Sequence, residues 1–282
     1  MRFYYEGMFN FWRTRSFSKK NLLKASRTSN YKNVLSEIKN HDREVANLIS
    51  DLTNRKTEIE NNYERIIVTF FLNKVYQNRY LSQSTNKSIY VTGYSAGIFN
   101  VLDFIKCLEL KDTLDLIKER SILVDKYSGS AQMYLIKGIL ISTVKKVIEA
   151  NQLSIEISIY TSNKSAILVC KYGEIEKLID RIKNTNKFIY KKIEVNVPYH
   201  TKFLKPIEQD YKKILEKLDF NDTNKNVIFS NNNLKTELLS QLTTTFNWSL
   251  IIERIKMTEI ETIYDATPNK FSRAFLPNLK IK

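Results

Sequence analysis

The sequence predicts an α/β protein in which a parallel-sheet core is interrupted by a smaller subdomain. Three observations predict it. A short apolar strand, residues 88–92, runs into Gly93-Tyr94-Ser95-Ala96-Gly97 and then into a helical pattern from Phe99 to Leu110. Residues 132–195 carry strands and helices in the order β-α-β-β-α-β, the ferredoxin-like pattern. From Val197 onward strands and helices alternate again, which implies a parallel sheet covered on both faces.

Each element has its own warrant. Val34, Ile38, Val45, Leu48, Ile49 and Leu52 recur at helical spacing, and Ile59 to Tyr80 continues the pattern, so residues 30–80 read as helices. Lys111-Asp112-Thr113 opens a helix that runs to about Lys126, with Asp112 as its cap. Tyr127-Ser128-Gly129-Ser130 is a loop. Gln132–Leu140, Ile155–Tyr160, Ala166–Lys171 and Phe188–Val195 read as strands, and Ser142–Gln152 and Glu174–Asn184 as helices. This assigns 128–196 to a ferredoxin-like subdomain, and 1–127 with 197–282 to an α/β-hydrolase-like core. In the returning part, Lys205–Leu218, Lys235–Leu242 and Trp248–Met257 read as helices. Asn226–Ser230 and Thr262–Asp265 read as strands, with a turn at Pro268.

Composition narrows the classes. A chain of 282 residues with 43% hydrophobic content can bury a sizeable core. No apolar run approaches the length needed to cross a bilayer, and Met1–Glu6 has no signal-peptide core. Cys107 and Cys170 lie in apolar settings and read as buried thiols, so a cytoplasmic location is the default. The net charge of +15 suits an anionic partner. The basic residues are spread out, however, and no zinc knuckle or aromatic RNA-binding signature appears, which argues against a nucleic-acid partner.

The segment at 93–97 carries the chemistry. Gly-x-Ser-x-Gly between a strand and a helix is the nucleophile elbow, a turn so tight that the serine hydroxyl stands exposed. The competing reading is a plain turn with an incidental serine, but two of only 6 glycines sit here. Such a serine needs a base, and the chain has 2 histidines. His41 lies in a polar surface-like run. His200 lies where a strand gives way to a loop, and strand ends are where an open α/β sheet gathers its site. The amide of Ala96, the residue after the nucleophile, supplies one oxyanion donor.

Taken together, these features resemble the malonyl-CoA:acyl-carrier-protein transacylases and the acyltransferase domains of polyketide synthases, over about residues 85–275. An arginine, Arg120, stands on the second helix after the elbow; read without the family it is a helix-surface ion-pair residue. Val197-Pro198-Tyr199-His200 matches the family's histidine segment. The run Ser240 to Trp248, with Gln241, matches a short family motif that contains a glutamine and ends in tryptophan, and 265–269 match an eroded closing turn. The resemblance implies that Ser95 takes malonyl from CoA as an ester and passes it to the phosphopantetheine thiol of an acyl carrier protein. Arg120 pairs with the free carboxylate, His200 is the base, Gln241 lines the site, and no metal or cofactor is needed beyond the substrate malonyl-CoA. Partners are then the carrier protein and a fatty-acid or polyketide synthase complex, with no membrane.

The sequence departs from the family in three places. Tyr94 and Ile98 stand where the elbow usually has histidine and glutamate. The family opens with a strand and a Gly-Gln-Gly-Ser-Gln loop, and no such loop occurs here. Phe3 to Phe9 resembles the family segment just past that loop, so the first strand and one oxyanion donor are expected to be missing. Two alternatives stay open: an acyl-carrier-protein hydrolase, or a catalytically weak scaffold subunit of a synthase.

Overall fold

The computed structural model describes residues 2–5, 15–54, 59, 61–81, 90–184, 187–222, 226–229, 234–258, 262–267, 275–276 and 280–281. Its elements run β1 (Arg2–Tyr5), α1 (Arg15–Ala25), α2 (Ser29–His41), α3 (Arg43–Asn54), α4 (Asn62–Leu81), β2 (Tyr90–Gly93), a 3-10 turn (Ser95–Gly97), α5 (Ile98–Ile105) and α6 (Leu110–Asp125). Then come β3 (Gln132–Lys137), α7 (Ile141–Ala150), β4 (Ile155–Ser162), β5 (Ser165–Cys170), α8 (Glu174–Ile182) and β6 (Ile189–Ile193). A 3-10 helix (Lys202–Ile207) leads to α9 (Glu208–Glu216), β7 (Asn226–Val227), α10 (Leu234–Ser240), β8 (Phe246–Asn247), α11 (Trp248–Lys256), β9 (Thr262–Asp265) and β10 (Lys280–Ile281).

The chain divides into two compact units, one comprising 1–122, 214–228 and 254–282, the other 123–213 and 229–253. In the first, five parallel strands lie in the order β10-β9-β1-β2-β7. The strand expected to be missing is therefore present. Arg2–Tyr5 forms β1 in the middle of the sheet, with Tyr4 in register with both Thr92 and Asp265. Four residues flanked by aromatics and charge give little alternation to read, which is why the sequence conceals it. The segment after β1, where the family's glycine-rich loop is sought, lies outside the described residues.

The second unit contains the predicted subdomain. Its antiparallel order β6-β3-β5-β4 is that of a split βαβ pair. One face is covered by α7 and α8, and the core there is Ile136, Ile141, Val144, Leu168, Leu178 and Ile182 with their neighbours. The alternation that predicts these strands buries the inward residues, each worth roughly 1.5–3 kcal/mol. A fifth strand, β8, adds in parallel to β4. At two residues long, it leaves no pattern in the sequence.

Other differences have local causes. The helix after the elbow stops at Ile105, because Lys106 adopts a left-handed conformation (φ 58) and its amide bonds back to Asp103. A new helix then starts at Leu110, which puts Asp112 inside the first turn rather than at the cap. There it still favours the helix electrostatically. Pro206 turns the start of the predicted 205–218 helix into a 3-10 segment, and α9 begins at Glu208. Helix α1 is not legible in the sequence, since its polar and apolar residues do not separate cleanly.

Candidate functional site

The elbow is built by the first unit. β2 ends at Gly93, and Ser95 comes next but one with φ 52, a left-handed conformation that costs a non-glycine residue about 1–2 kcal/mol. The turn is closed by the Gly97 amide donating to the Tyr94 carbonyl at 3.0 Å. Gly93 is required by close approach: a Cβ there would lie 2.5 Å from the Gly97 carbonyl carbon. Ser95 and Ala96 are buried, as is Tyr94, which here fills the family's histidine position with apolar bulk. Ile98, at the family's glutamate position, is also buried, and it begins a helix that is buried on every side.

Arg120 belongs to the same unit. It is 1% exposed, so the sequence reading of it as a surface ion-pair residue does not hold. Its guanidinium lies over the Phe99 ring, 5.5 Å from the centroid. Phe99 is four residues after Ser95, one turn into α5. Phe99, which sequence reasoning treats only as core, thus ties Arg120 to the helix that follows the elbow.

His200 and Gln241 belong to the second unit. His200 is fully buried with φ 60, another left-handed non-glycine residue. Its loop is held from several sides. The Tyr199 amide donates to the Val197 carbonyl at 2.9 Å, and the Ser158 hydroxyl on β4 donates to the Tyr199 carbonyl at 2.8 Å. The Thr201 amide donates to the Leu242 carbonyl at 3.1 Å, which ties the histidine loop to the turn carrying buried Gln241. Phe246 on β8 packs against the imidazole at 5.4 Å between centroids, and Trp248 stacks on Phe246 at 6.3 Å. Thus β8 explains the tail of the Gln241–Trp248 motif: it delivers Phe246 to His200. Below this loop Glu208 accepts from Thr243 at 2.8 Å and pairs with Lys205. Lys205 first, and Thr243 second, hold its carboxyl below the ordinary range. His41, by contrast, is exposed at the end of α2.

Competing nucleophiles are poor. Cys107 and Cys170 are free and buried. Burial first, then nearby acids, raises both thiols, Cys170 to about 12, where little thiolate forms at neutral pH. Among the described residues no group of three or more metal-ligating side chains is gathered. Of the matching closing turn, Asp265 is fully buried at the end of β9, while Pro268 and Asn269 lie outside the described residues.

Fold and elbow together define an α/β protein of the malonyltransferase fold. A solved acyl carrier protein S-malonyltransferase from Vibrio cholerae superimposes with a TM-score of 0.82 over 99% of this chain and 95% of that one, at 16% identity. In sequence the chain resembles the malonyl-CoA:acyl-carrier-protein transacylases. It is 24% identical over 198 residues to the malonyl CoA-acyl carrier protein transacylase of Buchnera aphidicola subsp. Schizaphis graminum, covering 64% of this chain. It is also 31% identical over 137 residues, 46% of this chain, to a non-reducing polyketide synthase of Talaromyces marneffei. The match spans 62% of the length of the first relative and 7% of the second. No family model matches the chain.

Proposed function

We propose that the chain is an acyltransferase that moves malonyl from CoA to the phosphopantetheine thiol of an acyl carrier protein. Ser95 attacks the thioester carbonyl, CoA leaves as its thiol, and the malonyl-serine ester is then attacked by the carrier thiol. His200 accepts the serine proton and returns one to the leaving group. The Ala96 amide faces the developing oxyanion. Arg120 grips the free carboxylate in two-point fashion, and Gln241 lines the site. No cofactor enters this scheme. The neighbouring reactions are those of fatty-acid or polyketide assembly, and two buried free thiols favour the cytoplasm.

The observation that carries this reading is a fully buried arginine packed over Phe99, on the helix that a strained elbow serine leads into. Its planar fork matches a carboxylate at two points, and burial makes such a grip stronger than it would be in water. The test is incubation of the purified protein with malonyl-CoA, then peptide mass analysis. A malonyl adduct on Ser95, absent from Ser95→Ala, is expected. An adduct elsewhere, or none, overturns the reading.

A further inference from the structure

We propose that Asn73 and Lys74 on α4, with Asn100 and Asp103 on α5, are positioning residues that hold Ser95 in its strained conformation. The inference rests on Ser95 being the nucleophile. All eight residues of α5, Ile98–Ile105, are buried. Apolar burial is non-directional, so by itself it fixes neither the rotation nor the height of such a helix. Hydrogen bonds do. Asn100 accepts from Asn73 Nδ2 at 2.9 Å and donates its own amide to the Phe70 carbonyl at 2.8 Å. One turn further along, Lys74 Nζ meets Asp103 Oδ2 at 2.6 Å, with side chains 4% and 1% exposed. Lys74 also reaches Glu37 on α2 at 3.0 Å, and Lys106 approaches the other Asp103 oxygen at 3.5 Å.

These contacts pin α5 to α4 at two successive turns. The Ser95–Gly97 turn runs into α5 without a break, through Gly97 in a right-handed helical conformation. A rotation of α5 therefore passes directly to Ser95. A left-handed serine persists only where its surroundings over-determine it, and this ladder is the directional part of those surroundings. A buried ion pair adds little net stability over an apolar pair of similar size, so its presence here points to geometry rather than to stability.

The test uses the full chain carrying Lys74→Met and Asp103→Leu together. The expected result is an unchanged or raised melting temperature, with acylation of Ser95 by malonyl-CoA slowed about 10-fold or more at saturating substrate. Acylation at the parent rate in a folded variant overturns the proposal. A second measurement needs no reactivity. Ser95→Gly removes the cost of the left-handed conformation, and its effect on melting temperature is compared in the parent and in Asp103→Asn. The shift is expected to be smaller in the Asp103→Asn background, because there Ser95 has already relaxed. Equal shifts overturn the proposal. If the parent forms no Ser95 adduct, the functional reading fails by itself and the melting comparison still decides the ladder.

Discussion

The parallel-sheet unit and the antiparallel-sheet unit fill their interiors with different chemistry. Beneath α7 and α8 the antiparallel sheet buries an apolar cluster, and its charges stay outside. The parallel-sheet unit buries Lys74, Asp103, Arg120 and Asp265, each at most 3% exposed. In the antiparallel unit most buried polar groups lie on or beside the histidine loop and the Gln241 turn, namely Ser158, His200, Thr201, Gln241 and Thr243, with Thr161 and Glu237 besides. Burying a polar group costs free energy unless it is fully hydrogen-bonded. A fold that accepts this cost around an elbow and a histidine loop, and avoids it in the subdomain core, sets the proposed site apart from the core that supports it. Of the four left-handed non-glycine residues described, Ser95 and His200 lie at the elbow and in the histidine loop, while Lys106 and Gln152 end helices α5 and α7.

The comparison can be broken at several points. The largest effect is expected for His200→Ala, which lowers Ser95 acylation about 10³-fold in single-turnover assays. A loss below tenfold returns His200 to the role of a satisfied core histidine. Leu168→Ala, in the apolar cluster, is expected to cost about 3 kcal/mol of stability in denaturant titration. If it costs under 1 kcal/mol, that core is not the supporting element. For Arg120→Leu the expected effect is on substrate choice: malonyl transfer falls about 100-fold and acetyl transfer much less. Equal losses for the two acyl groups make Arg120 structural.

The smallest effect concerns acid. Glu208 has its carboxyl lowered in the folded state, by Lys205 and then Thr243. A carboxyl lowered on folding adds stability above its unfolded pKa, and that stability is lost as pH falls through the folded value. Glu208→Gln should therefore flatten the fall of melting temperature below the ordinary carboxylate range. An unchanged acid slope means that this solvent-screened pair contributes nothing in solution.

Much of this is legible in the sequence, and the rest is hidden for physical reasons. The elbow shows because glycine is scarce, and the subdomain shows because long alternating strands leave a period. β1 and β8 are too short for a period, yet β1 lies at the centre of the parallel sheet and β8 carries Phe246 to His200. Asn73, Lys74, Asn100 and Asp103 escape notice because a polar residue on a helix normally marks the wet face. The available signal is their context: each interrupts a mostly apolar stretch, Ile66–Val75 or Ile98–Ile105. The role proposed for Arg120 is suggested by resemblance alone, since Lys118 and Glu119 beside it suggest an exposed turn.

The short strand β8 bears on how this protein can be recombined. It seals the β4 edge of the antiparallel sheet, yet it comes from the far side of the excursion through β7 and α10. A chimaera that transplants only the contiguous 132–193 stretch leaves Ile159 and Tyr160 without their partners on β8, with only those on β5. It also opens a hydrogen-bonding edge to neighbouring chains, an invitation to aggregation. Crossovers that respect the sheet must carry Phe246 and Asn247 along with it, so the graft has to be made in two pieces.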